Sequence, residues 1–153
     1  MAPGDGRAAG AGARMRSMPI AFNHTIVHAH DAKKSATFFS EIMGLPSPTR
    51  FGPFLAVPLE HGASLDFAQV GDGESVHPQH YAFLVTEADF DAIYGRILEQ
   101  GITHYPEPHF GRTNEINHND GGRGVYWCDP GGHFLKILTV PYGGWPAGSD
   151  RVP

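Results

Sequence analysis

The chain has one cysteine, Cys128, in 153 residues, which excludes an internal disulfide and fits a reducing compartment. It has no long hydrophobic run either. Nothing approaches the roughly 20 apolar residues of a membrane-crossing helix, and residues 1–17, rich in Gly, Ala and Arg, lack the apolar centre of a signal peptide. A cytoplasmic location is therefore expected. A basic surplus is also missing: 11 Lys and Arg stand against 16 Asp and Glu, for a formal net charge of -5. The basic residues are scattered, so nucleic acid and anionic membranes are excluded as expected partners, leaving small molecules.

What is plentiful is glycine (20), proline (13) and histidine (10). Many turn residues suit a chain of short strands better than a helical bundle. At 41% hydrophobic content the chain supports one globular domain with a real core. Residues 1–19 are expected to be a disordered extension, with Met15 or Met18 as alternative starts. The domain is expected over 20–144 and a short tail over 145–153.

The most informative stretch is the last apolar run. Two β-rich segments, 125–128 and 133–138, flank Asp129-Pro130-Gly131-Gly132, in which Pro130 presets φ and the glycines accept positive φ, so a hairpin is predicted. Alternation places Phe134, Lys136 and Leu138 on one face of the second strand, and His133, Leu135, Ile137 and Thr139 on the other. A lysine thus stands mid-strand among apolar residues, where a charge needs a reason.

Upstream, residues 20–30 read as a strand with His24, Ile26, His28 and His30 on one face. Asp31 caps a predicted helix Ala32–Met43 that Gly44 ends. A connection over 45–52, a strand over 54–59, a turn at His61-Gly62 and a strand over 63–69 complete the first half. The last of these sets Ser64, Asp66 and Ala68 opposite Leu65 and Phe67. After a polar linker over 70–78 the order repeats. Residues 80–85 form a strand, Thr86 with Asp89 resembles a capping box, and Phe90, Ile93, Tyr94, Ile97 and Leu98 trace a helical stripe. An edge stretch over 102–105, a polar loop and the hairpin follow. The chain is thus read as an internal repeat of two βαβββ modules, about 20–70 and 79–141. The fold class is α+β: a U-shaped mixed sheet around a central pocket, with the helices outside.

These residues resemble the vicinal-oxygen-chelate superfamily of glyoxalases, extradiol dioxygenases and bleomycin-binding proteins. The resemblance covers about 21–144. It rests on Asn23-His24-Thr25-Ile26-Val27, Gly44-Leu45, Leu65-Asp66-Phe67, His80-Tyr81-Ala82-Phe83-Leu84-Val85, and Gly124-Val125-Tyr126 through Asp129-Pro130-Gly131-Gly132-His133. It implies a divalent metal ion (Fe, Mn, Zn or Ni) held by the first and last strands of each module. The ligand positions would be His24, His80, Asp66 and Lys136; the resemblance also allows a homodimer, for which no residue here specifies an interface. The chain departs from the pattern at Lys136, where enzymes of the superfamily usually have Glu.

Strand parity points His24, His80 and Asp66 into one pocket, a two-His, one-carboxylate set that leaves open positions on a non-haem metal. An ammonium about 5 Å from a divalent ion is repelled by about 7 kcal/mol at an effective dielectric near 20. Neutralising Lys136 at neutral pH costs about 4 to 5 kcal/mol. Neither penalty is prohibitive. The alternative is a metal-free pocket in which Asp66 and Lys136 form an ion pair.

Three side chains are candidate catalytic groups: Lys136 as base or nucleophile, His28 beside His24, and His118 in the polar loop over 112–122, which could close as a lid. Glu115 of that loop could replace the missing carboxylate. His133 is read as structural, and either Tyr126 or Trp127 must face the pocket. The leading reading is a small-molecule metalloenzyme acting on a substrate with neighbouring oxygens, dioxygenase-like ahead of lyase- or isomerase-like. The alternative is a metal-free protein that sequesters a small molecule, as bleomycin-resistance proteins do.

Overall fold

The computed structural model describes residues 20–147; the expected N-terminal extension and the end of the tail lie outside them. Two four-stranded sheets carry the architecture. The first comprises β1 (His24–Ala29), β2 (Thr49–Phe51), β3 (Phe54–Pro58) and β4 (Ser64–Gln69), in spatial order β1-β4-β3-β2. The second comprises β5 (His80–Leu84), β6 (His104–Tyr105), β7 (Gly124–Cys128) and β8 (Phe134–Leu138), in order β5-β8-β7-β6. In each, the first and last strands of the module pair in parallel (β1 with β4, β5 with β8) and the other pairs are antiparallel. The βαβββ repeat expected from the sequence is therefore present. Two details differ. β1 begins at His24 rather than Ile20, and Thr49–Phe51, expected as a connection, is an edge strand paired with β3. Pro46 and Pro48 punctuate its approach without reaching the paired residues.

Each module contributes one helix, α1 (Ala32–Met43) and α2 (Glu87–Glu99). Asp31 accepts a hydrogen bond from the Lys34 amide at 2.9 Å, and Thr86 accepts one from the Asp89 amide at 3.0 Å, so both predicted caps form. Ala32, Ala36, Phe39 and Ile42 of α1, and Phe90, Ile93 and Ile97 of α2, turn one face into the core. Leu98, at the end of the α2 stripe, is exposed instead, since it lies about 100° round the helix from Ile97.

The modules share a single core. The Phe39 ring lies 6.1 Å from Phe67 in its own module and 5.3 Å from Phe83 in the other. Arg96 of α2 donates to the Ile42 carbonyl at 3.1 Å, crossing to the end of α1. His133, as the sequence suggested, is structural. Its buried ring accepts from the Gln79 amide at 3.0 Å through Nδ1, so Nε2 carries the proton and donates to the His28 carbonyl at 2.7 Å.

With one face of each sheet on the helices, the other face is left open. In the first module it carries His24, Ile26 and His28, all exposed. In the second it carries His80, Ala82, Leu84, Phe134, Lys136 and Tyr126.

Candidate functional site

The open face of the second module centres on Lys136, which is only 2% exposed. Registry places it between Ala82 on β5 and Tyr126 on β7. Its Nζ donates to the Tyr142 hydroxyl at 2.9 Å and lies 4.6 Å from the Tyr126 ring centre and 4.3 Å from that of Tyr142. The two tyrosine hydroxyls are 3.4 Å apart. Among the described residues no carboxylate lies within ion-pair distance of this ammonium, the ion pairs there being formed by Arg112 and Arg123. A buried cation held by ring faces and a phenol attracts an anionic oxygen.

The surroundings are aromatic. His80 stacks on Tyr126 with ring centres 5.7 Å apart, and Phe110 bridges Tyr105 (4.9 Å) and Phe134 (5.5 Å). His80 donates Nδ1–H to the Phe134 carbonyl at 3.0 Å, which leaves Nε2 of a neutral ring as an acceptor. The Lys136 hydrogen bond holds the Tyr142 hydroxyl below the usual tyrosine range. Burial pushes the Tyr126 hydroxyl above it.

The first module has the same backbone slot with different contents. Asp66 is the registry equivalent of Lys136, flanked by Ile26 and Ala56, and it accepts the Ser64 hydroxyl at 2.8 Å. His24 donates Nδ1–H to the Asn23 side-chain oxygen at 2.6 Å, again leaving Nε2 as acceptor. The Asp66–Lys136 ion pair of the metal-free alternative does not form, because each residue finds its partner within its own module.

The remaining candidates fall elsewhere. His28 lines a cavity of about 510 Å³ at the junction of the modules, with Glu74, His77, Gln79, Tyr81 and His133, and Lys136 is not part of that lining. His118 is exposed on the loop, beside Asn117, whose backbone pairs with Gly124 and whose amide donates to the Pro106 carbonyl at 2.7 Å. Glu115 is bound by Arg112 at 3.2 Å, so it does not stand in for a carboxylate near Lys136. Sequence reasoning missed Tyr142. Its signal was an aromatic set between Pro141 and a Gly143-Gly144 pair just after the last strand.

His24 and His80 each have the tautomer a metal ligand uses, with Nδ1–H tied to an oxygen and Nε2 free. The set as a whole does not fit a metal within one chain. Among the described residues no three His, Cys, Asp or Glu side chains are grouped closely enough to hold an ion. The fourth position is a buried lysine locked to a tyrosine.

Paired βαβββ modules with an open face built around strand-borne polar residues define a class of small-molecule proteins. The chain belongs to the Glyoxalase/Bleomycin resistance protein/Dioxygenase superfamily, whose sequence pattern matches residues 21–137. It is similar to two solved structures. One is "Oxidase ChaP-H1", at 55% identity and TM-score 0.77, covering 82% of this chain and 100% of that one. The other is "Oxidase ChaP-H2", at 53% identity and TM-score 0.79, covering 83% and 98%. It also resembles "Glutathione transferase FosA" of Serratia marcescens, 27% identical over 122 residues, which are 75% of this chain and 77% of that protein.

Proposed function

We propose that the protein is an oxidase of a small aromatic substrate bearing two conjugated hydroxyls, a catechol or hydroquinone of which one hydroxyl is acidic, with dioxygen as electron acceptor. The observation that carries this reading is the buried Lys136 ammonium, which has a phenolic oxygen at 2.9 Å and no counter-charge among the described residues. The kinship to two oxidases at better than half identity supports the reaction class.

Lys136 would hold the substrate oxygen as an oxyanion, the role of a preorganised donor at developing charge. His80 Nε2, on the same face and with its tautomer set by Phe134, would take the hydroxyl proton. The rings of His80, Tyr126, Phe110 and Phe134 would stack on the aromatic body. The electron-rich anion then gives up two electrons and the proton of its second hydroxyl to dioxygen. The dioxygen leaves as hydrogen peroxide with the two protons, and the substrate, which already carried both of its oxygens, leaves as an ortho- or para-quinone. Oxygen uptake with a panel of catechols, hydroquinones and dihydroxynaphthalenes tests this: peroxide should form in step with uptake, and Lys136→Met should abolish both. Tight binding of panel members without oxygen uptake would favour a sequestering protein instead.

A second reading has its own observation. His24 and His80 both present Nε2 to open faces that also expose Ile26 (41%) and Leu84 (44%). In a homodimer the first module of one copy would face the second module of the other. His24, Asp66 and the partner's His80 would then hold a divalent ion that supplies Lewis-acid or oxygen-activating chemistry. This reading requires near-stoichiometric metal, lost together in His24→Ala and His80→Ala. Metal content unchanged by both substitutions would exclude it.

A further inference from the structure

We propose that Tyr142 is an internal occupant of the Lys136 seat, which a ligand hydroxyl must displace, so that Tyr142 sets how acidic an accepted hydroxyl must be. The proposal rests on the reading of Lys136 as an oxyanion seat.

The burial pattern is the first argument. Lys136 is 2% exposed while the tyrosine bonded to it is 66% exposed. A side chain that itself lies mostly in solvent therefore closes the lysine off. Ala82 and Tyr126 flank Lys136 within the sheet, whereas Tyr142 reaches it from beyond the last strand.

The second argument is how Tyr142 is attached. It sits in a turn closed by the Gly144 amide on the Pro141 carbonyl at 2.9 Å. Its successor, Gly143, has φ 78, the positive value that the third residue of a type II turn needs. A Cβ added at Gly143 or Gly144 would meet nothing within 4 Å. The hydrogen bonds that fix Tyr142 are thus that of its own turn and those of its hydroxyl, and open space lies on the glycine side of the turn.

The third argument is chemical exchange. A ligand hydroxyl entering the seat replaces one phenolic oxygen on Nζ by another, so the count of hydrogen bonds is unchanged and the exchange is close to neutral for two equally acidic groups. A ligand that is more anionic than a tyrosine hydroxyl makes the stronger charge-assisted bond and wins. One that matches tyrosine does not. The lowered Tyr142 titration, caused by the same hydrogen bond, agrees with a seat that favours the ionised oxygen.

The test is equilibrium dialysis of the full chain at about pH 8 with two probes. One is 4-nitrophenol, mostly ionised there; the other is 4-methylphenol, about as weakly acidic as tyrosine. The unaltered protein should prefer 4-nitrophenol by tenfold or more. Tyr142→Ala should raise 4-methylphenol affinity about tenfold and narrow the preference, and Tyr142→Phe, which keeps the ring over Nζ but loses the hydroxyl, should show the same direction with a smaller gain. Unchanged or weaker 4-methylphenol binding in both Tyr142 variants overturns the proposal. The parent reading has a separate readout. If Lys136→Met binds 4-nitrophenol as the unaltered protein does, the seat itself is misassigned. If Lys136→Met loses the probe while the Tyr142 variants show no gain, only the role of Tyr142 fails.

Discussion

The two modules have the same topology and registry, yet the slot at the centre of each open face holds opposite charges in opposite settings. In the first, Asp66 lies beside Ile26 and the small Ala56 and takes one bond from Ser64 two residues away. In the second, Lys136 lies beside Ala82 and Tyr126 and is covered by Tyr142, which comes from beyond the last strand. The two modules share a scaffold and differ in its contents. The difference teaches that each charged side chain is hydrogen-bonded within its own module, so the fold's pseudo-symmetry does not by itself make a shared site. The second module has the concentrated aromatic surface and, among the described residues, a lysine without a carboxylate partner, and it is there that we propose the reactivity lies.

The sharpest way to break this comparison is to neutralise each slot in turn. Lys136→Met should lower kcat/KM for oxygen uptake by 100-fold or more, about 3 kcal/mol of transition-state stabilisation. Asp66→Asn should change it less than threefold. Equal losses would mean the slots act together.

Stability offers the next contrast. Phe39 touches aromatic rings of both modules, so Phe39→Ala should reduce unfolding free energy by about 3 to 5 kcal/mol, as buried Phe truncations do. Ile26→Ala, on the open face, should shift denaturation midpoints little in the monomeric chain.

The helix ends differ as well. Gly44 has φ 70, and a Cβ there would come within 2.6 Å of the Arg96 guanidinium. Gly101 has φ 63 in open space. Gly44→Ala should therefore destabilise by about 2 kcal/mol and Gly101→Ala by about 1 kcal/mol, the latter being the left-handed penalty alone. Chemical denaturation of both variants separates the two values.

The smallest effect is spectroscopic. In a tyrosine absorbance titration one component should ionise below the ordinary range and belong to Tyr142, whose hydroxyl Lys136 stabilises as the anion. Tyr81 and Tyr126, raised mainly by burial, should ionise above it. Tyr142→Phe should delete the early component, and Lys136→Met should move it up. Because the folded chain releases this proton before the unfolded chain does, the Tyr142 contribution to stability is absent below its lowered titration. It grows as pH rises toward and past about 10, the unfolded value.

Much of the fold was legible because alternation and turn chemistry agree at each step. Asp31, Gly44 and Thr86 mark the helix ends, and Asp129-Pro130-Gly131-Gly132 marks the hairpin. Strand parity set the faces correctly for His24, Asp66, Lys136 and His133. Parity could not say whether faces of two sheets in one chain look at each other, which is why His24, His80 and Asp66 read as one group and are not gathered here. Tyr142 was illegible for a different reason. Its contact with Lys136 depends on a turn after the last strand, and no periodicity extends there. His118 and Glu115 were chosen for chemistry alone, and the loop instead spends Glu115 on Arg112.

The measurement that tests the central claim most directly is a crystal structure of the protein soaked with 4-nitrophenol. The account predicts the ligand oxygen within about 3 Å of Lys136 Nζ, its ring on Tyr126 and His80, and Tyr142 turned away. A ligand seated instead on the His24 and Asp66 face, with the Lys136–Tyr142 bond intact, would contradict it.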